Sequence, residues 1–448
     1  MSVASPSAAG DSAPRSAPAP ADPHGAVTTI EPRRKVRVLF INDTARNGGP
    51  GRSLFYILRF LDPEVVHRAV VLPRPGVISE LYAERRVTED LFFEHDLVEN
   101  PIEPWTRPMA RDDFDAPLAV RSIRAAGNVA RVTIALARLT RLIQHGRYDL
   151  VYCNGTNADF AGGALARLSG APALWHVRYT SLPAAVRGVH DRLAASAGVR
   201  RIVCVSKASA ALFPHCPEKV RVIHNALDVE EFDARGIEPC LRRELALPDG
   251  TVVFGSQGRI LPRKGYVEMI HAARRALASM TEEERERVRF VVLGDTPEDI
   301  RPDHLAECRE LVRSLDLERH FTFLGFKRDV KPYVADFDVA VVPSVYPDPL
   351  PRAVIESMAL GKPVVAFDVG GVGEMLRGGE TGALVRGAPP DVEGMADQFL
   401  RYLRDPALRA AHGAAGRARV ERDFDGATQA RRIQNEIVRA AGLAAETA

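Results

Sequence analysis

The strongest constraint in this chain is a series of short apolar runs, each followed by a helical pattern. KVRVLFIN, DLVYC, ALWHV, RIVCV, VVFGS, RFVVLG, DVAVVP and PVVAF are nearly continuous in branched and aromatic residues rather than alternating. Strands read this way when helices cover both faces of a parallel sheet. Repeated strand and helix units predict doubly wound sheets that bind ligands at the carboxyl ends of their strands. The pattern also restarts. A turn-rich, polar segment near Asn225–Gly250 separates the first series from a second that opens at TVVFGS. At 448 residues the chain exceeds one ordinary core, so the fold class expected is α/β, with two Rossmann-like domains facing across a cleft. The expected limits are a disordered tail over 1–34, domains over 35–225 and 251–424, and a linker over 226–250. A last helix within 425–448 fits either domain by periodicity and can cross back to the first.

Residues 1–34 are rich in Ala, Pro and Ser and lack the apolar stretch of a secretion signal. No apolar run reaches the roughly 18 residues of a membrane span. Five cysteines stand scattered without a CxxC pair, which argues for reduced thiols and a cytoplasmic chain. A net charge of +2 conceals an asymmetry: residues 35–225 carry 26 Lys and Arg against 18 Asp and Glu, residues 226–424 carry 28 against 34. The two halves therefore face different partners. No acid lies between Asp115 and Asp149, where Arg121, Arg124, Arg131, Arg138 and Arg141 share one helical stripe and Ile123, Val132, Leu139 and Leu142 fill other faces. Such a stripe suits anionic lipid headgroups at about 1 kcal/mol per cation, and an ordinary solvated face is the alternative. Peripheral contact with the inner face of a membrane is the expectation. Nucleic acid is not, since no recognition motif or aromatic ladder accompanies the charge.

Chemistry concentrates in the second half. GSQGRILPRKGYVEMI puts Arg259 and Lys264 on a loop between a strand and a helix. Two cations and a helix amino end suit a diphosphate leaving group, whose charge grows as its bond breaks. Further on, PSVYPDPLPRAVIESMALGKPVVAFDVGG places Asp348 on a loop and Glu356 inside a helix that starts near Arg352. Paired carboxylate oxygens accept hydrogen bonds from the vicinal hydroxyls of a sugar or ribose. The backbone amides of Arg352, Ala353 and Val354 can meet a phosphate. Asp336, Phe337 and Asp338 mimic a metal-binding DxD, but they open a buried strand and the cations already supply the charge, so no metal is expected.

The Asp348-to-Glu356 segment resembles the paired-acid signature of the retaining family 4 glycosyltransferases, and the resemblance runs from Lys35 to the carboxyl end. It implies the GT-B fold, an acceptor-side first domain and a second domain that binds a nucleotide-sugar donor as co-substrate, with no other cofactor. Glu356 matches the acid that binds the donor ribose. Asp348 matches the acid that touches the transferred sugar, usually Glu and here one methylene shorter. Arg259 and Lys264 match the diphosphate-binding pair, and Leu350 with Arg352, Ala353 and Val354 the start of the phosphate-facing helix. Gly48 and Gly49 match the glycine loop after the first strand, where backbone approaches donor and acceptor or a positive-φ turn is made. His176 resembles the histidine that contacts the sugar, with Arg178 assisting. In VIHNALDVEEF, Ala226 replaces the glycine that usually follows Asn225. Backbone around Phe323, Leu324 and Gly325 matches the base-binding region, which leaves UDP and GDP both open.

The resemblance thus implies transfer of a sugar, with retention, to a glycan or lipid-linked acceptor in polysaccharide or glycoconjugate synthesis. A glycosyltransferase-like binding or regulatory subunit and a nucleotide-sugar epimerase are the alternatives. A dinucleotide oxidoreductase is disfavoured, because NGGPGR lacks the full GxGxxG spacing.

Overall fold

The computed structural model describes residues 27–42, 44, 48–97, 118–297 and 302–445. Its first sheet contains β1 (Val36–Asn42), β2 (Val66–Leu72), β3 (Asp90–Phe93), β4 (Leu150–Asn154), β5 (Ala173–Val177), β6 (Val199–Cys204) and β7 (Val220–Val222). Its second contains β8 (Val252–Gln257), β9 (Val288–Leu293), β10 (Phe321–Phe323), β11 (Val339–Val342), β12 (Val364–Asp368) and β13 (Gly382–Arg386). The strand orders are β3-β2-β1-β4-β5-β6-β7 and β10-β9-β8-β11-β12-β13. The pairings are parallel, as the apolar runs require. Each order reverses direction once, between β1 and β4 in the first sheet and between β8 and β11 in the second. Helices diverge to opposite faces at such a point and leave a crevice at the strand carboxyl ends.

β1 shows why these runs become central strands: Val36, Val38, Leu39, Phe40 and Ile41 are wholly buried, so both faces of the strand are covered. The second core is tied by aromatic rings, with Phe254 5.3 Å from Phe290 and 5.0 Å from Phe399 between centroids.

The helix Gly426–Ala441 follows the second domain in sequence but packs on the first. Gln434 Oε1 accepts from the Asp62 amide at 2.9 Å, and the Ala440 carbonyl accepts from Arg200 at 2.9 Å. Asn435 clasps the residues before β1, accepting from the Ile30 amide and donating to the Thr28 carbonyl. Pro32 and Ala444 form an antiparallel bridge. The expectation of a disordered tail up to residue 34 is corrected here: residues 28–33 are held by the C-terminal helix, and residues 1–26 lie outside the described residues. Outgoing and returning chain run side by side where they change domain, Leu227 bridging Asp425 in parallel.

The arginine stripe also changes. Arg131 pairs with Asp96 at 3.0 Å, and Arg138 pairs with Asp96 at 2.9 Å and with Glu94 at 3.2 Å. The helix Leu118–His145 buries Ala125, Ala135, Leu139 and Ile143, while Ile123 and Ile134 stay 71% and 45% exposed. Carboxylates after β3, remote in sequence, compensate two of the five cations, so the stripe is not a uniform basic face. No described helix is long and apolar enough to cross a membrane.

A Cβ at Gly426 would lie 2.5 Å from the Phe60 ring and 2.8 Å from the Leu227 carbonyl oxygen. Gly426→Val should therefore push the crossing helix off the first domain, costing about 1–3 kcal/mol and lowering the thermal midpoint. Gly49→Ala, where a Cβ meets open space, should leave that midpoint within a degree or so. Differential scanning calorimetry of both variants checks this.

Candidate active site at the two switch points

Both crevices carry polar side chains, and they meet. In the second domain Gln257 ends β8 and the loop beyond it carries Arg259 and Lys264. Lys264 closes a single 3-10 turn, Pro262–Lys264. Its Nζ donates to Asp348 Oδ2 at 2.7 Å, and the Tyr346 hydroxyl donates to the same oxygen at 3.0 Å. Arg263 and Lys264 both lie over the Tyr346 ring. Burial, then the Asp348 charge, push the Tyr346 hydroxyl above its ordinary range, with Arg263 and Arg259 opposing. The Asp348 loop is fixed from behind: Gly371 donates to the Asp348 carbonyl at 2.9 Å, and a Cβ on Gly370, whose φ is +57°, would sit 2.2 Å from that oxygen.

Glu356 lies on the helix Arg352–Ala359, where Gln257 Nε2 donates to its Oε2 at 3.2 Å and Arg352 Nε to its Oε1 at 3.0 Å. Arg352 reaches further. It donates to the Ala226 carbonyl at 3.2 Å and lies 5.0 Å from the Tyr56 ring centroid of the first domain. The structure thus pairs Lys264 with Asp348 and Arg352 with Glu356, with Arg259 on the loop that carries Lys264.

The first domain answers with a row of side chains at its own switch point. Asn42 and Asn154 are register partners at the ends of β1 and β4, both wholly buried, and Asn154 Nδ2 donates to Asn42 Oδ1 at 2.5 Å. Arg178 Nε donates to Asn154 Oδ1 at 2.6 Å, its Nη1 to Asn225 Oδ1 and its Nη2 to His176 Nδ1 at 3.4 Å. Asn225 in turn donates to the Leu350 carbonyl at 3.2 Å. Burial brings the Arg178 guanidinium down to about 10, and the nearby Arg352 charge adds to this.

Several expectations need correction. His176 is 2% exposed, with Nδ1 bonded to Tyr152 and Arg178, so its ring stands inside the domain rather than at the cleft surface. The Val354 amide donates to the Pro351 carbonyl at 3.1 Å, which removes it from the groups able to meet a phosphate. Leu324 donates to Val292 and Gly325 accepts from Gly294, so those two backbone groups are committed to the sheet edge, while neighbouring Phe326 is 62% exposed. Gly48 is extended at φ −157°, and neither it nor Gly49 has positive φ, so the glycine pair opens a helix rather than making a strained turn. Asp338 pairs with Arg242 at 2.6 Å and accepts from the Val253 amide, and Asp336 accepts from the Arg242 amide. Asp338 thereby ties the start of β11 to β8, and Asp336 holds the helix Leu241–Glu244 beside them. Sequence reasoning missed Gln257, Tyr346, Asn42, Asn154 and Tyr152. For the two asparagines a signal existed, a polar residue ending an apolar strand beside a switch point.

Residues 238–419 match the family profile of glycosyl transferases group 1, and residues 107–231 match that of glycosyltransferase family 4. Two glycosyltransferase profiles thus match successive parts of the chain. Among curated relatives, the D-inositol 3-phosphate glycosyltransferase of Kribbella flavida is 33% identical over 203 residues, 44% of this chain and 46% of that one. The chain thus spans about half the length of the first such relatives it matches. The UDP-Gal:alpha-D-GlcNAc-diphosphoundecaprenol alpha-1,3-galactosyltransferase of Escherichia coli is 22% identical over 291 residues, 61% of this chain and 71% of that one. Among solved structures, Anabaena HepE in complex with UDP and glucose superposes with a TM-score of 0.70 at 22% identity, covering 89% of this chain and 98% of that one. That likeness shows the fold, two Rossmann-like domains of the GT-B kind.

A latch spans the domains beside the site. Glu374 follows the Gly370–Gly371 turn and accepts from the Lys207 amide at 2.7 Å, the Ala208 amide at 3.3 Å and the His224 ring at 3.2 Å. Burial alone would raise its carboxyl, but the His224 ring and the two amides hold it below the ordinary 4.5. A depressed folded-state value means that the carboxylate stabilises the fold above the ordinary value and loses this contribution as pH falls through the folded one. Wild type should therefore melt above Glu374→Gln at neutral pH, and the gap should close as pH falls below about 4.5. Thermal midpoints of the two proteins along a pH series measure this.

Proposed function

We propose that this protein is a retaining glycosyltransferase. It moves a sugar from a UDP- or GDP-linked donor to a glycan or lipid-linked acceptor in polysaccharide or glycoconjugate synthesis. The observation that carries the proposal is the convergence at the β8–β11 switch point: Lys264 2.7 Å from Asp348 on one side, Gln257 3.2 Å from Glu356 on the other. Lys264, Arg259 and the amides of Arg352 and Ala353 take the diphosphate, and Glu356 takes the ribose hydroxyls. Asp348 takes a sugar hydroxyl, its orientation fixed beforehand by Lys264 and Tyr346. The cations fill the electrostatic role that a metal has in other transfer sites. The acceptor attacks from the leaving-group side, and the departing phosphate oxygen receives its proton. Kinship with a galactosyltransferase named for a diphosphoundecaprenol acceptor supports the lipid-linked reading, and the fold shared with a UDP-bound structure supports UDP.

Donor turnover with Lys264→Ala is the test. Loss of a partner for the leaving charge should lower kcat by about 100-fold or more. Turnover near that of wild type would remove the centre of the proposal.

The membrane contact is proposed in altered form. Ile123 and Ile134 lie eleven positions apart, hence on one helical face, and both are exposed. They enter an anionic surface, while Arg131 and Arg138 remain paired at its edge. Flotation with acidic liposomes should fall at least several-fold for the double variant Ile123→Asp with Ile134→Asp, and equal flotation would end the idea.

A further inference from the structure

Among the described residues, three buried polar side-chain atoms near the cleft have no hydrogen-bond partner: Ser53 Oγ, His176 Nε2 and Gln429 Oε1. They come from three elements far apart in sequence, the helix Gly49–Phe60, the end of β5 and the C-terminal helix Gly426–Ala441. All three residues line one cavity of about 10 Å³, walled by Tyr56, Ile57 and Ile433. An internal water needs roughly 10–15 Å³ and two to four polar neighbours, and this cavity offers that space and those neighbours.

We infer that one buried water joins His176 to Ser53 and Gln429, and that Gln429 is thereby a positioning residue for the cleft. The hydrogen-bond directions close. A guanidinium only donates, so His176 Nδ1, which faces Arg178 Nη2 at 3.4 Å and the Tyr152 hydroxyl, accepts. Burial, with the Arg178 charge adding, keeps the ring neutral by holding it well below 6.5, so its one proton sits on Nε2 and points into the cavity. Gln429 is oriented by its own amide, whose Nε2 donates to the Asp423 carbonyl at 2.8 Å and turns Oε1 inward. A water there accepts from His176 and donates to Gln429 Oε1 and Ser53 Oγ, which leaves none of the three unpaired.

The consequence reaches the cleft through Arg178. With the proton fixed on Nε2, the Nδ1 lone pair is available to Arg178, which also holds Asn154 and Asn225. Without the water, the other tautomer would set an N–H against the guanidinium and displace it. The C-terminal helix therefore sets the pose of an arginine in the first domain. The effect on turnover rests on the function proposed above; the tautomer and the water do not.

Nitrogen-15 spectra of the full chain labelled at histidine, with His176 assigned through His176→Gln, test the inference. Wild type should show a neutral ring protonated at Nε2. Gln429→Met keeps the length of the side chain but removes the acceptor, and should shift a substantial fraction of His176 to the Nδ1-protonated form. It should also lower kcat about tenfold with the donor KM within about twofold. Should Gln429→Met fail to fold, Ser53→Val, which fills the cavity from the other side, should give the same spectral change. A wild-type ring protonated on Nδ1 would overturn the inference, as would unchanged His176 signals in the variants or a high-resolution crystal structure with that cavity dry. Unaltered spectra with normal turnover sink the water alone, whereas no turnover in a wild type with the expected spectrum sinks the proposed reaction alone.

Discussion

The arrangement of the two domains turns on the guanidinium of Arg352. Its side chain is only 9% exposed, and a charge so placed is tolerable only with its hydrogen bonds satisfied. Glu356 supplies one partner, the Ala226 carbonyl another and the Tyr56 ring a face. These three partners belong to the second domain, the interdomain stretch and the first domain. Satisfying one buried cation thus fixes where the carboxylate assigned to the donor ribose stands relative to the first sheet. Removal of Glu356 would leave the guanidinium buried with neutral partners alone, a larger penalty than loss of the contact itself.

The fold was largely legible because parallel strands covered on both faces have little freedom in composition. The eight apolar runs correspond to β1, β4, β5, β6, β8, β9, β11 and β12, the strands at and near the two switch points. The remaining five lie towards the edges. β3, β7 and β10 span three or four residues, too few for periodicity to register. β2 is long enough but reads VHRAVVL, with Arg68 in its middle. That arginine is 8% exposed because Glu89 and the Leu58 carbonyl satisfy it, and no local pattern announces partners ten and twenty-one residues away.

The site was legible in its charges and not in their neutral partners. Lys264, Asp348 and Glu356 stand out because a cation pair on a strand-to-helix loop and an acid pair across a loop and helix are specific in order and spacing. Gln257, Tyr346, Asn42 and Asn154 are common residues whose meaning comes only from what the sheets bring beside them. His176 was misplaced for the same reason. The end of a strand beside a switch point is ordinarily open to a ligand, but Tyr152, Arg178 and the crossing C-terminal helix close over this ring. The crossing itself was visible only as an ambiguity, since amphipathic periodicity states that a helix has an apolar face and not which domain receives it.

The charge asymmetry between the halves acquires a physical sense at the cleft. Acids of the second half are largely engaged with cations of that half: Asp348 with Lys264, Glu356 with Arg352, Asp338 with Arg242. Others meet the first half near the linker, where Arg59 pairs with Asp228 at 2.7 Å and Glu231 at 2.5 Å. Arg178 is held differently, by the neutral acceptors Asn154, Asn225 and His176. A cation oriented by neutral groups keeps its full charge, and in a region of low dielectric that charge acts over a longer distance than it would in water. The lowering of Arg178 to about 10 is the mark of this cost. An anionic group such as the proposed donor diphosphate, entering between the domains, would offset it.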